Sequence, residues 1–208
     1  MIQNKKIIFF RIVKRIEDIL FSTIVLTLLS PALIIVIFLI LILEGCPIFY
    51  ISKRMVGINK EINIFKFRTM VRDAKSDKYG LEKTYMRDGY LDVPLQSEVY
   101  TPFGRILEKT QIVEVPQFFS VLFGKLSFVG NRPLPYNNIQ LLKKKYPQNW
   151  EDRFKSPAGI TGITQIVGKF GLSPDQRLEL ESLYSKVYQE GNILKADTYI
   201  FFSTIILL

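Results

Sequence analysis

From Ile19 to Leu43 the chain is apolar almost throughout, with Ser30-Pro31 near the middle. Read as a straight helix, these roughly 25 residues reach ~37 Å, enough for a hydrocarbon core of ~30 Å. Pro31 has no N–H for the Thr27 carbonyl and its ring crowds it, so the pattern predicts a kink. The Ser30 hydroxyl is expected to bond back to the Leu26 carbonyl and favour the bend. Each half, about 12 residues or ~18 Å, is too short to span alone. Two topologies fit: one spanning helix that tolerates its proline, or a helix that dips into the bilayer and returns.

Beyond this run the periodicity changes. Ile62 to Met70 alternates as a strand that puts Ile62, Ile64, Lys66 and Arg68 on one face. That face is either an edge guarded by cations or a platform aiming Lys66 and Arg68 at a phosphate. Val71 to Pro102 is polar, broken by Gly80, Gly89 and Pro94, and reads as a loop region. Phe103 to Phe123 reads as helix interrupted near Pro116, with Val115, Phe118, Phe119, Leu122 and Phe123 as an apolar stripe and Gly124 as its cap. Ser127 to Pro135 reads as a turn, in which Pro133 holds Arg132 extended. Asp175 to Gln189 is an amphipathic helix starting near Ser173 or Asp175, and Ile193 to Leu208 is an apolar, aromatic tail that packs or lies along a bilayer surface. The sum is a helix-rich α/β fold divided as residues 1–43, a basic N-terminus and membrane helix, and 44–208, one globular domain.

Charge sharpens the membrane reading. The formal net charge is +9, with Lys5, Lys6, Arg11, Lys14 and Arg15 before the apolar run and Lys53, Arg54, Lys60, Lys66 and Arg68 after it. Basic flanks favour the cytoplasmic side; a straight span satisfies one cluster, a dipping helix both. Anionic lipid or a phosphate-bearing substrate is the expected partner, and no nucleic-acid signature is present. The chain has no histidine, which excludes Ser-His-Asp and Cys-His machinery and most zinc sites. The single Cys46 excludes an internal disulfide. Chemistry is left to carboxylates, cations, hydroxyls or an oxygen-held metal. A planar guanidinium at Arg132 suits phosphate oxygens, and the glycines of Pro157 to Lys169 permit tight turns whose N–H groups can receive an anion.

Five segments, in order, resemble the bacterial sugar transferases known as monotopic phosphoglycosyl transferases. Lys14-Arg15 with Ser30-Pro31 is similar to the family's re-entrant helix; Phe65 to Met70 to its K-F-R-[ST]-M strand; Phe103-Gly104-Arg105, then Glu114, Pro116 and Gln117, to F-G-R…D-E-L-P-Q. Ser127 to Leu134 is similar to S-[FL]-V-G-P-R-P-L, with Asn131 in place of proline, and Gly159-Ile160-Thr161-Gly162 with Gln165 to G-[IL]-T-G-x-x-Q. The resemblance implies a re-entrant helix with both termini cytoplasmic, at the cytoplasmic face of a bacterial inner membrane. It implies transfer of sugar-1-phosphate from a UDP-sugar donor to a polyprenyl (undecaprenyl) phosphate acceptor, releasing UMP and starting assembly of a surface glycan, with Mg2+ as cofactor. It leaves a homodimer open. Lys66, Arg68 and Arg132 are the expected phosphate-binding cations, with Arg54 and Arg105 beside them; Gln117, Pro133, Thr161, Gly162 and Gln165 complete the expected substrate site, and Glu114 is the expected metal ligand.

Two positions depart from the pattern. The family's attacking aspartate is Val113 here, and an arginine of many relatives is Glu108. Three accounts follow: Glu114 or Glu108 serves as nucleophile; the acceptor phosphate attacks directly while Glu114 holds magnesium; or the chain is an inactive membrane-bound scaffold. If the local site is of the family type, Val113→Asp is expected to keep or raise activity.

Overall fold

The computed structural model describes residues 2–87, 90–168 and 171–207; Gly89 and Lys169, named above, lie outside them. Helix α1 (Ile2–Leu43) runs through Pro31 without a break in its assignment. Strands β1 (Phe49–Gly57) and β2 (Lys60–Phe67) pair as a two-stranded sheet. The 71–102 region contains α2 (Leu81–Tyr85) and the short pair β3 (Met86–Arg87) and β4 (Tyr90–Leu91). Then come α3 (Pro102–Lys109), a 3-10 turn at Ile112–Glu114, α4 (Gln117–Leu122), β5 (Ser127–Val129) and α5 (Tyr136–Lys145). A second 3-10 turn (Asp152–Lys155), β6 (Gly159–Thr161), α6 (Ile163–Gly168), α7 (Pro174–Glu190) and α8 (Ile193–Leu207) complete the chain. The fold is helix-rich with small sheets, as the periodicity predicts. Contacts divide it into two units, one of Met1–Val25, Lys53–Ile62 and Phe118–Leu208, the other of Leu26–Ser52 and Asn63–Gln117.

Helix α1 begins well before the apolar run, because Lys14, Asp18 and Ser22, spaced four apart, form a polar stripe that turns into the protein and is buried. Lys14 pairs with Asp197 of α8 and donates to the Val129 carbonyl at 3.0 Å. Asp18 accepts from Ser127 Oγ at 2.7 Å and from the Phe128 N–H at 2.9 Å. Arg15 donates to the carbonyls of Val121 and Leu122 at 2.6 and 2.7 Å, capping the end of α4. The basic pair Lys14-Arg15 is therefore bonded within the protein, rather than standing as a free flanking charge.

At the middle of α1 the Ser30 hydroxyl donates to the Thr27 carbonyl at 2.8 Å, not to Leu26 as expected. Thr27 is the residue whose carbonyl loses its donor to Pro31, so the neighbouring hydroxyl supplies the missing bond. A 39-residue stretch, Lys5–Leu43, is long and apolar enough to cross a membrane. Leu28, Ile35, Phe38 and Ile42 are well exposed along it.

Three other expectations meet the coordinates. Helix α7 starts at a complete capping box between Ser173 and Gln176. Between Phe103 and Phe123 the α-helix is interrupted from Thr110 to Pro116, as expected near the proline; a 3-10 turn fills the gap, and Gln111 takes a left-handed φ of 56°. The stripe there divides: Val115 and Phe118 are buried, while Phe119 and Phe123 are exposed. Ser127 to Pro135 opens as a strand instead of a turn: β5 pairs parallel with β6, Ser127 opposite Gly159 and Val129 opposite Thr161. Periodicity missed it because three residues are too few to display a period of two.

Candidate active site

The alternation of β2 buries Ile62 and Ile64 and leaves Lys66, on the same face, half-buried near the strand's end; Phe67, on the opposite face, is buried as well. Its ammonium lies 2.6 Å from Glu114 Oε1, and both side chains keep about a fifth of their surface in solvent (23% and 21%). Glu114 ends the 3-10 turn that the left-handed Gln111 introduces. Helix α3 precedes that turn. Thr101 caps it by accepting from the Gly104 N–H at 2.9 Å. A Cβ at Gly104 would lie 2.0 Å from the Thr69 carbonyl oxygen, so only glycine lets α3 approach the end of β2. That is the physical content of the F-G-R segment. Thr69 in turn donates to Glu108 Oε1 at 2.9 Å.

The other expected residues of this unit are held inward. Arg68 donates to the carbonyls of Glu44 and Gly45 at 3.1 and 2.6 Å and stands 3.7 Å from the Glu44 carboxylate. Arg105 donates to the Ser97 carbonyl at 3.2 Å, and Gln117 is buried. Burial, then the charges of Glu108 and Asp92, push the Tyr100 phenol up to about 12.

Val113 is 3% exposed and packs with Val36, Ile40, Phe67 and Leu107. The position the resemblance assigns to an attacking aspartate is core in this chain. This packing argues against the expectation that Val113→Asp keeps or raises activity, because a carboxylate set among these apolar side chains is costly.

Arg54, Arg132, Pro133, Thr161, Gly162 and Gln165 belong to the other unit. Arg132 and Pro133 border a hollow with Asn131, Arg153, Phe154 and Ser156. Below it Arg153 and Glu181, both almost fully buried, face each other at 3.0 Å, and Arg153 donates to the Arg132 carbonyl at 2.7 Å. Asn131, the departure from the resembled motif, directs its amide at the Arg153 and Glu181 carbonyls (2.8 and 3.0 Å) and at Ser156 and Ser185 Oγ (3.1 and 3.0 Å). Arg54 is half-buried on β1.

The glycines of this unit are demanded by packing. A Cβ on Gly159 would lie 2.1 Å from the Gly130 nitrogen, and one on Gly162 would lie 2.1 Å from the Gly130 oxygen. The Gly159 N–H donates to the Asn131 carbonyl at 3.0 Å, so it is not held out for an anion. Thr161 bonds Thr204 at 2.8 Å, and Gln165 donates to the Ile160 carbonyl at 3.2 Å.

Sequence reasoning passed over Glu44, Thr101, Arg153 and Glu181. Glu44 carried a usable signal, as the first charged residue after the apolar run. Arg153 and Glu181 carried none, since nothing local distinguishes a charge that will be buried from a solvated one. Among the described residues no three His, Cys, Asp or Glu side chains gather as a metal cage.

A long apolar helix joined to cation–carboxylate pairs defines a membrane-associated class of protein. Residues 9–208 match the family model of bacterial sugar transferases, and the chain belongs to that family. It is 30% identical over 193 residues to a UDP-glucose:undecaprenyl-phosphate glucose-1-phosphate transferase of Klebsiella pneumoniae, covering 92% of this chain and 39% of that one. It is 31% identical over 202 residues to a UDP-galactose-lipid carrier transferase of Erwinia amylovora, covering 94% and 40%. A UDP-N-acetylgalactosamine-undecaprenyl-phosphate N-acetylgalactosaminephosphotransferase of Aeromonas hydrophila is 29% identical over 194 residues, covering 93% and 43%. The chain thus spans about two fifths of the length of these relatives.

Proposed function

We propose that the chain is a phosphoglycosyl transferase that moves a sugar-1-phosphate from a UDP-sugar to undecaprenyl phosphate at a membrane surface and releases UMP. The observation that carries this reading is the Lys66–Glu114 pair, a cation and a carboxylate 2.6 Å apart and still open to solvent. Family membership and the names of the three relatives support the substrate classes. A diphosphate and a phosphate repel as they approach, and a fixed ammonium at Lys66 offsets that repulsion where it is greatest. Arg132, in the other unit, is assigned to phosphate oxygens by its planar guanidinium and the motif around it alone.

The buried Val113 favours direct transfer. An oxygen of the acceptor phosphate attacks the sugar-bearing phosphorus, and the new P–O bond replaces the one to UMP, which leaves with the electron pair. The donor set fits magnesium, which accepts one carboxylate plus phosphate oxygens in place of a protein cage; Glu114 would hold it, and it would neutralise the diphosphate. A second reading rests on Glu108, which replaces an arginine of relatives and is braced by Thr69 beside Arg68. The Glu108 carboxylate would attack the sugar-bearing phosphorus and break its bond to UMP, which leaves with the electron pair; an oxygen of the acceptor phosphate would then attack that phosphorus and release the carboxylate.

The test uses full-length protein in nanodiscs with undecaprenyl phosphate and, in turn, UDP-glucose, UDP-galactose and UDP-N-acetylgalactosamine. UMP and lipid-linked sugar are expected with one of them, and Lys66→Met or Glu114→Gln should lower the rate at least a hundredfold. Absence of transfer with every donor would leave a membrane-bound scaffold. Labelled UMP entering UDP-sugar without acceptor would select the two-step course, and its absence the direct one.

The re-entrant course of α1, with both termini cytoplasmic, belongs to the same reading. Basic residues on both sides of the apolar run and the mid-helix proline support it. Membrane-impermeant labelling of cysteines introduced at residues 4 and 205 tests it: opposite accessibility would replace it with a single span.

A further inference from the structure

The C-terminal end of α1 closes on two bonds, with the Glu44 and Gly45 N–H groups both donating to the Ile40 carbonyl at 2.9 Å. The carbonyls of Glu44 and Gly45 then point onward and meet Arg68, whose Nη2 donates to both. The Glu44 side chain folds back toward the same guanidinium, and its other oxygen accepts from Thr101 Oγ1. Both members are sealed from solvent, with side-chain exposures of 9% for Arg68 and 7% for Glu44. Lys66, two residues earlier on the same strand face, keeps 23%. No motif of the chain includes Glu44.

We infer that Glu44 and Arg68 are positioning residues: a buried lock that joins the end of the membrane helix to the strand and helix that present Lys66 and Glu114. The inference rests on the reading of Lys66 and Glu114 as the reacting centre. Its geometry is a triangle. Arg68 ties the end of α1 to the end of β2; Glu44 ties the same point to Thr101. Thr101 both caps α3 and donates its N–H to the Thr69 carbonyl at 3.0 Å. From α3 the chain passes through Gln111 directly to Glu114. One guanidinium nitrogen, Nη2, donates to both carbonyls and faces the Glu44 carboxylate at 3.7 Å; a lysine carries the same charge on a head of different shape and reach, so its ammonium does not fall at that point. A group so enclosed is out of reach of a nucleotide diphosphate. Arg68 therefore acts on the reaction through Lys66 and not by touching phosphate, which removes it from the expected phosphate-binding set.

The experiment compares Glu44→Gln, Arg68→Lys and Lys66→Met in the full chain in nanodiscs. Hydrogen exchange is read at the Gly45 and Arg68 amides, which bond the Ile40 and Ile48 carbonyls, and steady-state kinetics are read with the active UDP-sugar. The lock predicts that Glu44→Gln and Arg68→Lys each speed exchange at both amides together by tenfold or more and leave β5 and β6 unchanged. They should lower kcat at least tenfold with KM for the UDP-sugar within about twofold. Lys66→Met should lose activity without faster exchange. The inference is overturned if Arg68→Lys raises KM tenfold while exchange near Gly45 stays at the wild-type rate, or if exchange changes at only one of the two amides. Should the wild-type chain transfer no sugar, the proposed function fails, and exchange alone decides the lock. If Glu44→Gln does not fold, Arg68→Lys, which keeps the charge, carries the same comparison.

Discussion

Replacing Val113 by aspartate installs the residue that the resembled motif has at this position, and the packing predicts that it harms the protein. Val113 is 3% exposed among Val36, Ile40, Phe67 and Leu107. Losing that buried side chain costs about 1.5–3 kcal/mol. A carboxyl group enclosed by apolar atoms has its pKa raised by about 3 units or more, which at neutral pH corresponds to roughly 4 kcal/mol. The sum, about 5–7 kcal/mol, is a large part of a typical folding free energy of ~5–15 kcal/mol. At ~2–4 °C per kcal/mol for a chain of this size, the melting temperature should fall by more than about 10 °C. The sign with pH follows from a folded pKa above the unfolded one: the variant lies nearest wild type below pH ~4, and the deficit grows as pH rises through the raised value. Thermal unfolding by circular dichroism in detergent at pH 5 and pH 8 checks both statements, with Val113→Thr as a control of similar shape. A Val113→Asp protein melting within about 2 °C of wild type at pH 8, and transferring sugar as fast or faster, would show that the side chain faces the reaction and that the core placement is wrong.

Two further outcomes are expected from buried groups. Lys14 and Asp197 are paired and enclosed, and burial raises the Asp197 carboxyl against the opposing pull of Lys14; Lys14→Met or Asp197→Asn alone should cost about 3–5 kcal/mol, whereas the Lys14→Met/Asp197→Leu double variant should recover most of it, as read by denaturant unfolding. Tyr100, pushed up to about 12, is neutral in the fold until well above the ordinary tyrosine range. Stability from its neutral form is complete below pH ~10 and is lost as pH rises through about 12. Because the ring is half-exposed, solvent screening limits this to about 1 kcal/mol; Tyr100→Phe should flatten alkaline unfolding between these limits and delete one late-titrating tyrosine from the ultraviolet difference spectrum, leaving the more deeply buried Tyr184.

What the sequence revealed and what it concealed divide along a physical line. Features with a period or a cap were legible: the apolar run that became most of α1, the alternation of β2, the capping box at Ser173, and Gly124 in its left-handed cap with φ 70°. Features made by distant partners were not. The burial of Lys14 and Asp18 was hidden by the assumption that charges before an apolar run are solvated, and it is explained by distant partners, Asp197 and Val129 for the one and Ser127 and Phe128 for the other. Glycines 159 and 162 suggested an anion cradle, yet Gly130, some thirty residues away, is what requires them, since each added Cβ would fall within 2.1 Å of its backbone.

The same line runs through the candidate site. Lys66 and Glu114 were legible from their motifs, but a motif cannot distinguish a cation facing substrate from one that braces a helix end, because both are retained for their charge. Burial makes the distinction. Lys66 keeps 23% of its side chain in solvent and Arg68 keeps 9%, and Arg68 meets two carbonyls at the end of α1. If both cations touched phosphate, the acceptor and donor would have to displace Arg68 from Glu44 in every cycle, leaving a buried carboxylate uncompensated each time at a cost of about 3–5 kcal/mol. Division of labour avoids that cost: one cation of the strand stays fixed to the end of the long helix, and its neighbour on the same face, paired with Glu114 but still partly in solvent, is the one that can meet charge.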